Sequence, residues 1–111
     1  MSELIAEKLI DIESVQFSFN EHFTLTSGLK SPVYVDCRKI ISFVKEREFI
    51  MDAAVNYIEK NKLKFDLVAG GETAGIPYSA FISEKLKKPM IYIRKKPKGF
   101  GKNQQIEGSF K

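Results

Sequence analysis

The sequence predicts an α/β chain, with an amino-terminal helix and short antiparallel strands joined to an incomplete parallel βαβ core. Three observations lead there. Apolar residues recur at helical spacing near the start and again from Ile50 to Ile58. Between Val15 and Val35 they alternate in short runs, as half-buried strands do. Two compact apolar runs, Phe65–Ala69 and Met90–Ile93, flank a stretch that opens with Pro77, which reads as strand, helix and strand.

Leu4, Ile5, Leu9 and Ile12 share one helical face, and Ser2 is placed to cap it, which predicts a helix from about Glu3 to Glu13. Val15, Phe17 and Phe19 alternate, as do Phe23 and Leu25, giving two short strands around Asn20-Glu21. Ser27-Gly28 marks a turn and Ser31-Pro32 an irregular point, after which Val33 and Val35 form a third strand. Phe43 is placed to staple a helix from about Lys45 to Lys60, whose apolar face is Ile50, Ala54, Tyr57 and Ile58 and which ends near Asn61. Phe65–Ala69 reads as a buried strand leading into a tight loop at Gly70-Gly71. Pro77 suits the first turn of a helix running to about Lys87. Met90–Ile93 is the next strand, and no element is expected to follow Ile106-Glu107-Gly108.

Nine Phe, four Tyr and 43% apolar residues belong to a globular chain with one small core. The start, Met1-Ser2-Glu3-Leu4, lacks the basic and apolar regions of a secretory signal. No apolar stretch approaches the roughly 20 residues of a membrane helix. Cys37 is the single cysteine, so no internal disulfide can form. A cytoplasmic protein is the expectation. One His and one Cys cannot assemble a four-ligand zinc site.

The net charge of +4 is unevenly spread. Residues 1–84 hold nine Lys/Arg and thirteen Asp/Glu, whereas residues 85–111 hold nine Lys/Arg and a single Glu. The last quarter therefore attracts anions, although a solvated basic surface would have the same composition.

Three segments carry candidate chemistry. In Val68-Ala69-Gly70-Gly71-Glu72-Thr73-Ala74-Gly75-Ile76-Pro77, three glycines sit where a parallel strand hands over to a helix. Ligands of open α/β sheets bind beyond the carboxyl ends of the strands, and helix N-termini favour anions. By itself the segment fits a phosphate site and a plain strand-to-helix turn equally well. It is neither a Walker loop nor a dinucleotide fingerprint. In the second segment, Arg94-Lys95-Lys96-Pro97-Lys98-Gly99-Phe100-Gly101-Lys102, Arg94, Lys95 and Lys98 could close over a polyphosphate, with Gly99 and Gly101 as hinges. A mobile surface loop over residues 94–103 is expected. RNA binding is a weaker rival, because Phe100 is the one aromatic in the run. The third segment, Thr26–Arg38, gathers hydroxyls, Lys30, Tyr34 and Arg38, a set able to stack and neutralise a planar anionic ring. From the residues alone, an ordinary hairpin with Asp36 and Arg38 paired on its surface is the favoured reading.

Taken in order, these segments resemble the orotate phosphoribosyltransferases. The matching stretches are Phe23-Thr24-Leu25-Thr26-Ser27-Gly28 with Lys30-Ser31-Pro32, then Thr73-Ala74-Gly75-Ile76-Pro77, then Arg94–Gly101 with Ile106-Glu107-Gly108. The likeness runs from about Phe19 to the last residues. It implies a single truncated phosphoribosyltransferase-like domain. Residues 1–40 would form a hood over the base, and residues 41–111 a partial phosphoribosyltransferase core. The family joins orotate to phosphoribosyl pyrophosphate in pyrimidine biosynthesis, giving orotidine monophosphate and pyrophosphate. It uses magnesium held mainly by substrate oxygens, without a dedicated metal site, and works as a homodimer. By resemblance, Thr26, Ser27, Lys30 and Tyr34 lie near orotate, and Glu72, Thr73 and Ala74 line the pyrophosphate. Arg94, Lys95 and Lys98 are the catalytic cations of a loop that closes across the dimer, with Phe100 beside them.

Some members have Lys at the Thr26 or Ala74 position and many have His at the Phe100 position; the family varies at all three. After the Ile-Glu-Gly stretch the family continues with an acidic pair and a Thr/Gly/Ser loop that hold the ribose and its 5′-phosphate. The expectation is therefore a chain inactive by itself. The alternatives are a non-catalytic pyrophosphate-binding or dimerisation module and a weak nucleic-acid binder. Uncovered apolar residues Phe65, Leu67, Ile91 and Ile93 add the expectation of a homodimer.

Overall fold

The computed structural model describes residues 1–97 and 105–110. The chain forms two compact units, residues 1–50 and 51–111. Lys98 and Phe100, and with them most of the basic loop expected over residues 94–103, lie outside the described residues.

The first unit opens with α1 (Ser2–Asp11), close to the expected span. Its N-cap is Met1, and no side chain caps it; Ser2 is already inside the first turn, so the expected Ser2 cap does not form. Next come β1 (Val15–Phe17), β2 (Phe23–Thr24), β3 (Lys30–Ser31) and β4 (Val33–Val35). The two strands expected around Asn20-Glu21 form, but they do not pair with each other. β1 pairs antiparallel with β4, and β2 with β3. The result is one long hairpin folded at Ser27-Gly28. The Ser18 N–H donates to Pro32 O at 2.8 Å between the two ladders, and Leu25 N–H donates to Leu29 O at 2.8 Å beside the tip. Gly28 takes φ +89° there, a conformation that disfavours any residue with a Cβ. Period-two alternation identifies strands but carries no information about which strands are partners.

Ser14 closes the base of the hairpin. It is fully buried; its Oγ donates to Asp36 O at 2.7 Å, and its own carbonyl accepts from Asp36 N–H at 2.7 Å. Asp36 then caps a 3-10 helix, Cys37–Ser42, by accepting from Arg38 N–H. The boundary between the units falls within α2 (Val44–Lys60), one residue longer at its start than expected.

The second unit contains β5 (Val68–Gly71), α3 (Gly75–Leu86), β6 (Met90–Ile93) and β7 (Ile106–Glu107) in a sheet of order β5-β6-β7. β5 and β6 are parallel with α3 between them in sequence, as expected. β5 starts three residues later than the apolar run and includes both glycines, which pair with Tyr92 and Ile93. The ladder begins where Val68 N–H meets Pro89 O at 2.9 Å. Upstream, Phe65 is held by Lys88 instead, whose ammonium donates to Phe65 O at 2.9 Å and lies 5.0 Å from the ring centroid. β7 is an addition to the expected architecture, antiparallel to β6. Gly108, at φ +114°, ends it, and a Cβ there would meet Ile91 Cγ2 at 3.0 Å. Ile91 is buried within the chain, so it does not need the cover from a second copy that the sequence suggested.

The three α-helices among the described residues end alike. Glu13, Lys62 and Lys87 take φ 59°, 51° and 56° just past the last turn. The next N–H reaches back five residues, Ser14 to Leu9 O, Leu63 to Ile58 O and Lys88 to Ser83 O. This is the Schellman arrangement, usually built on glycine. Replacing Lys62 by Gly removes the left-handed penalty and adds unfolded-state freedom, with a net stabilisation expected at about 0.5–1 kcal/mol. Urea unfolding of the two proteins checks this; an unchanged or lowered midpoint contradicts it.

Candidate functional site

In the second unit, the ends of β5 and β6 converge on the turn Glu72-Thr73-Ala74. The geometry starts with Gly70. A Cβ at this position would collide with Ser79 Oγ and lie 2.8 Å from the Gly75 carbonyl oxygen. The absence of a side chain thus lets the start of α3 rest directly on the strand. Ser79 is buried, and its hydroxyl donates to Gly75 O at 2.9 Å, which satisfies both groups inside the contact. Gly71 differs, since a Cβ there would meet nothing within 4 Å. The chain leaves the strand with an open backbone surface at the residue before Glu72. The Glu72–Thr73 peptide is cis.

Two hydrogen bonds tie this turn to the end of β6. Glu72 N–H donates to Ile93 O at 2.9 Å, and the Glu72 carboxylate accepts from Lys95 N–H at 2.8 Å. Glu72 is half-buried, while Thr73 and Ala74 are exposed. Ala74 brings no side-chain cap to α3. Within the turn, Ile76 N–H donates to Thr73 O at 3.2 Å, and Pro77 carries no N–H; the helix dipole there favours negative charge.

Arg94 follows β6 directly and is anchored by backbone and side chain. Its N–H donates to Gln105 O at 2.7 Å, and its carbonyl accepts from Gln105 Nε2 at 3.2 Å. Its Nε donates to Glu107 Oε2 at 2.7 Å in a half-buried ion pair. The Glu107 carboxylate beside it, with a smaller contribution from Glu72, raises the guanidinium pKa above its ordinary value. Lys95 is exposed. Sequence reasoning singled out neither Gln105 nor Glu107. The Ile-Glu-Gly spelling marked the place but carried no sign that Ile106-Glu107 would pair with β6.

In the first unit, Thr26, Ser27, Lys30 and Tyr34 all lie on the long hairpin. Thr26 and Ser27 form its exposed tip, where Ser27 Oγ accepts from Leu29 N–H at 3.4 Å. Lys30 is exposed and pairs with Thr24 across the ladder. Tyr34 is half-buried, and its ring lies 5.7 Å from that of Phe23 at 39°. Arg38 Nε donates to Asp36 Oδ1 at 2.8 Å, which is the surface pair expected of an ordinary hairpin. That bond holds the Asp36 carboxyl below its ordinary value and raises Arg38.

Among the described residues, no three His, Cys, Asp or Glu side chains gather as a metal cluster, and no helix is long and apolar enough to cross a membrane. No protein-family model matches the chain. It is 53% identical over 110 residues to the orotate phosphoribosyltransferase of Rhizobium rhizogenes, a match covering 97% of this chain and 47% of that protein. Among solved structures, the UMP synthase of Leishmania donovani superposes with a TM-score of 0.71 at 31% identity, over 96% of this chain and 22% of that one. The orotate phosphoribosyltransferase of Aeropyrum pernix gives 0.67 at 27% identity, over 81% of this chain and 52% of that one. The fold is that of the phosphoribosyltransferases. The chain spans about half the length of the curated relatives it matches.

The two glycines should respond differently to alanine. Gly70→Ala forces α3 off the strand, with an expected loss of about 1–3 kcal/mol. Gly71→Ala fills open space and is expected to stay within about 1 kcal/mol of the parent. Chemical denaturation of both variants checks the pair; equal losses contradict it. For the hairpin, Asp36 has a depressed folded pKa. Its contribution is therefore complete above the ordinary value of 3.8 and is lost as pH falls through the lowered one. Asp36→Asn should flatten the acid limb of a stability-against-pH curve below that value. An identical limb in parent and variant contradicts this.

Proposed function

We propose that this chain is one half of an orotate phosphoribosyltransferase, and that its second unit holds the pyrophosphate end of phosphoribosyl pyrophosphate. The observation that carries this reading is the Glu72-Thr73-Ala74 turn, which follows one parallel strand and is hydrogen-bonded to the end of the next, beside an anchored arginine. It supports an anion site at the carboxyl end of an α/β sheet. The identity to curated orotate phosphoribosyltransferases along nearly the whole chain supports the choice of substrate.

The chemistry follows from charge. Orotate displaces pyrophosphate at the anomeric carbon of the ribose. The bond to the leaving oxygen breaks, and pyrophosphate takes the electron pair and an additional negative charge. Cations already in position stabilise that charge as it develops. Arg94 is the fixed member of the set. Lys95 follows it, and Lys98 is assigned the same role from the sequence. The positive end of the α3 dipole adds a neutral contribution of the same sign. Magnesium is proposed to arrive on the phosphate oxygens, where it would neutralise charge. The donor set suits this: the turn offers N–H groups and cations, and Glu72 is committed to Lys95 N–H. The hairpin residues Thr26, Ser27, Lys30 and Tyr34 are proposed to face orotate, with Tyr34 offering a ring face and Lys30 a charge. A homodimer and a cytoplasmic location are part of this reading, as is Phe100 near the bound pyrophosphate.

The 111-residue chain is expected to bind pyrophosphate with an affinity of millimolar order that weakens as salt is added. It is expected to form no detectable orotidine monophosphate, since the ribose and 5′-phosphate must be gripped elsewhere for the reacting atoms to align. Replacing Arg94 and Lys98 together by Ala should abolish the binding. Calorimetric titration checks the first and last expectations and a turnover assay the second. Unchanged affinity in the double variant contradicts the site assignment, and turnover by the 111 residues contradicts the division of labour.

A further inference from the structure

We infer that Glu107 is a positioning residue for Arg94, holding the guanidinium in the orientation in which it meets pyrophosphate. This rests on the reading of Arg94 as a pyrophosphate ligand. The pair is made at Nε, at 2.7 Å, with Arg94 and Glu107 side chains 32% and 19% exposed. An arginine side chain free to turn loses rotamer entropy each time it binds; one held before the ligand arrives does not. Engaging Nε also fixes the plane of the fork, so the terminal nitrogens are set by the protein.

Three features of the backbone bring Glu107 to this place. β7 pairs Glu107 with Tyr92 and Ile106 with Ile93, so Glu107 lies one strand across and two residues back from Arg94. Gln105 grips Arg94 through both its N–H and its carbonyl. Gly108 lets the strand end press close to Met90 and Ile91, where a Cβ would be 3.2 Å from the Met90 carbonyl oxygen. This short strand therefore delivers one carboxylate to one guanidinium. The stem formed by Arg94 and Gln105 also closes the ends of the segment that holds Lys98.

A carboxylate beside a cationic site could act in the opposite sense. As a counter-charge it would weaken anion binding, and its removal would tighten it. The two roles give opposite signs in one experiment. Pyrophosphate affinity is measured by calorimetry for the parent and for Glu107→Ala, Glu107→Gln and Arg94→Ala. Positioning predicts that Glu107→Ala weakens binding by about fivefold, the scale of immobilising one long side chain. It predicts that Glu107→Gln, which keeps an acceptor for Nε, stays within about twofold. The Arg94 Nε–H resonance should be sharp in the parent and in Glu107→Gln, and broadened by exchange in Glu107→Ala. Should the alanine variant fail to fold, Glu107→Asp is used in its place: its carboxylate is one methylene short and should weaken binding likewise. Unchanged or tighter binding in a folded Glu107→Ala or Glu107→Asp overturns the inference. If Arg94→Ala itself leaves affinity unchanged, the pyrophosphate site assignment fails first, and that result is distinguishable from the failure of positioning alone.

Discussion

The contact between Gly70 and the first turn of α3 governs the second unit. A helix that follows a parallel strand normally stands off by the thickness of the side chains between them. Here one side chain is missing, and Ser79 and the Gly75 carbonyl occupy its place. That close approach keeps the turn from Glu72 to Ala74 short. It also directs the turn over the end of β6, where Glu72 reaches both Ile93 and Lys95. With a side chain at residue 70 the helix start moves out, and the two bonds from Glu72 would have to stretch or break. The Glu72-to-Ala74 turn is thus arranged by the packing behind it.

The second unit divides its cations by how firmly each is held. Arg94 is tied at N–H, at its carbonyl and at Nε. Among the described residues, Lys95 is tied through its N–H to Glu72, and its side chain is exposed. A fixed guanidinium suits planar recognition of phosphate oxygens, whereas an exposed ammonium acts as a point charge that can follow the ligand. The acids serve this arrangement. Glu72 is one of the three residues, with Thr73 and Ala74, that the family resemblance places along the pyrophosphate. Its carboxylate accepts the Lys95 N–H, which joins the strand-to-helix turn to the beginning of the basic segment.

Much of this was legible in the residues. Met90–Ile93 forms with the expected ends, because four consecutive apolar residues between a proline and a basic run leave little choice of register. α2 is within a residue of its expected start and ends at Lys60 as expected, although its named apolar face runs only from Ile50 to Ile58 and Tyr57 on it is exposed. The glycine-rich handover was recognised as a strand-to-helix turn, although Gly70 and Gly71 belong to the strand. Propensity disfavours glycine in strands, and it is the packing of α3 that overrides it. The hairpin partners were not legible, because alternation at Val15–Phe19 fits any partner strand. β7 escaped for a different reason. Two residues, one of them charged, carry no periodicity, and their pairing with β6 arises from tertiary proximity. With β7 unseen, Glu107 had no visible link to Arg94, thirteen residues earlier.

The central claim is that the β5–α3 turn and the end of β6 form one pyrophosphate site. Its most direct test is a pyrophosphate titration of the isotopically labelled chain followed by backbone amide NMR. The account predicts that the largest shifts fall together on Glu72 to Ile76 and on Arg94 and Lys95, saturating with a single affinity. Shifts confined to the lysines at 85, 87 and 88, with the turn unaffected, would contradict it.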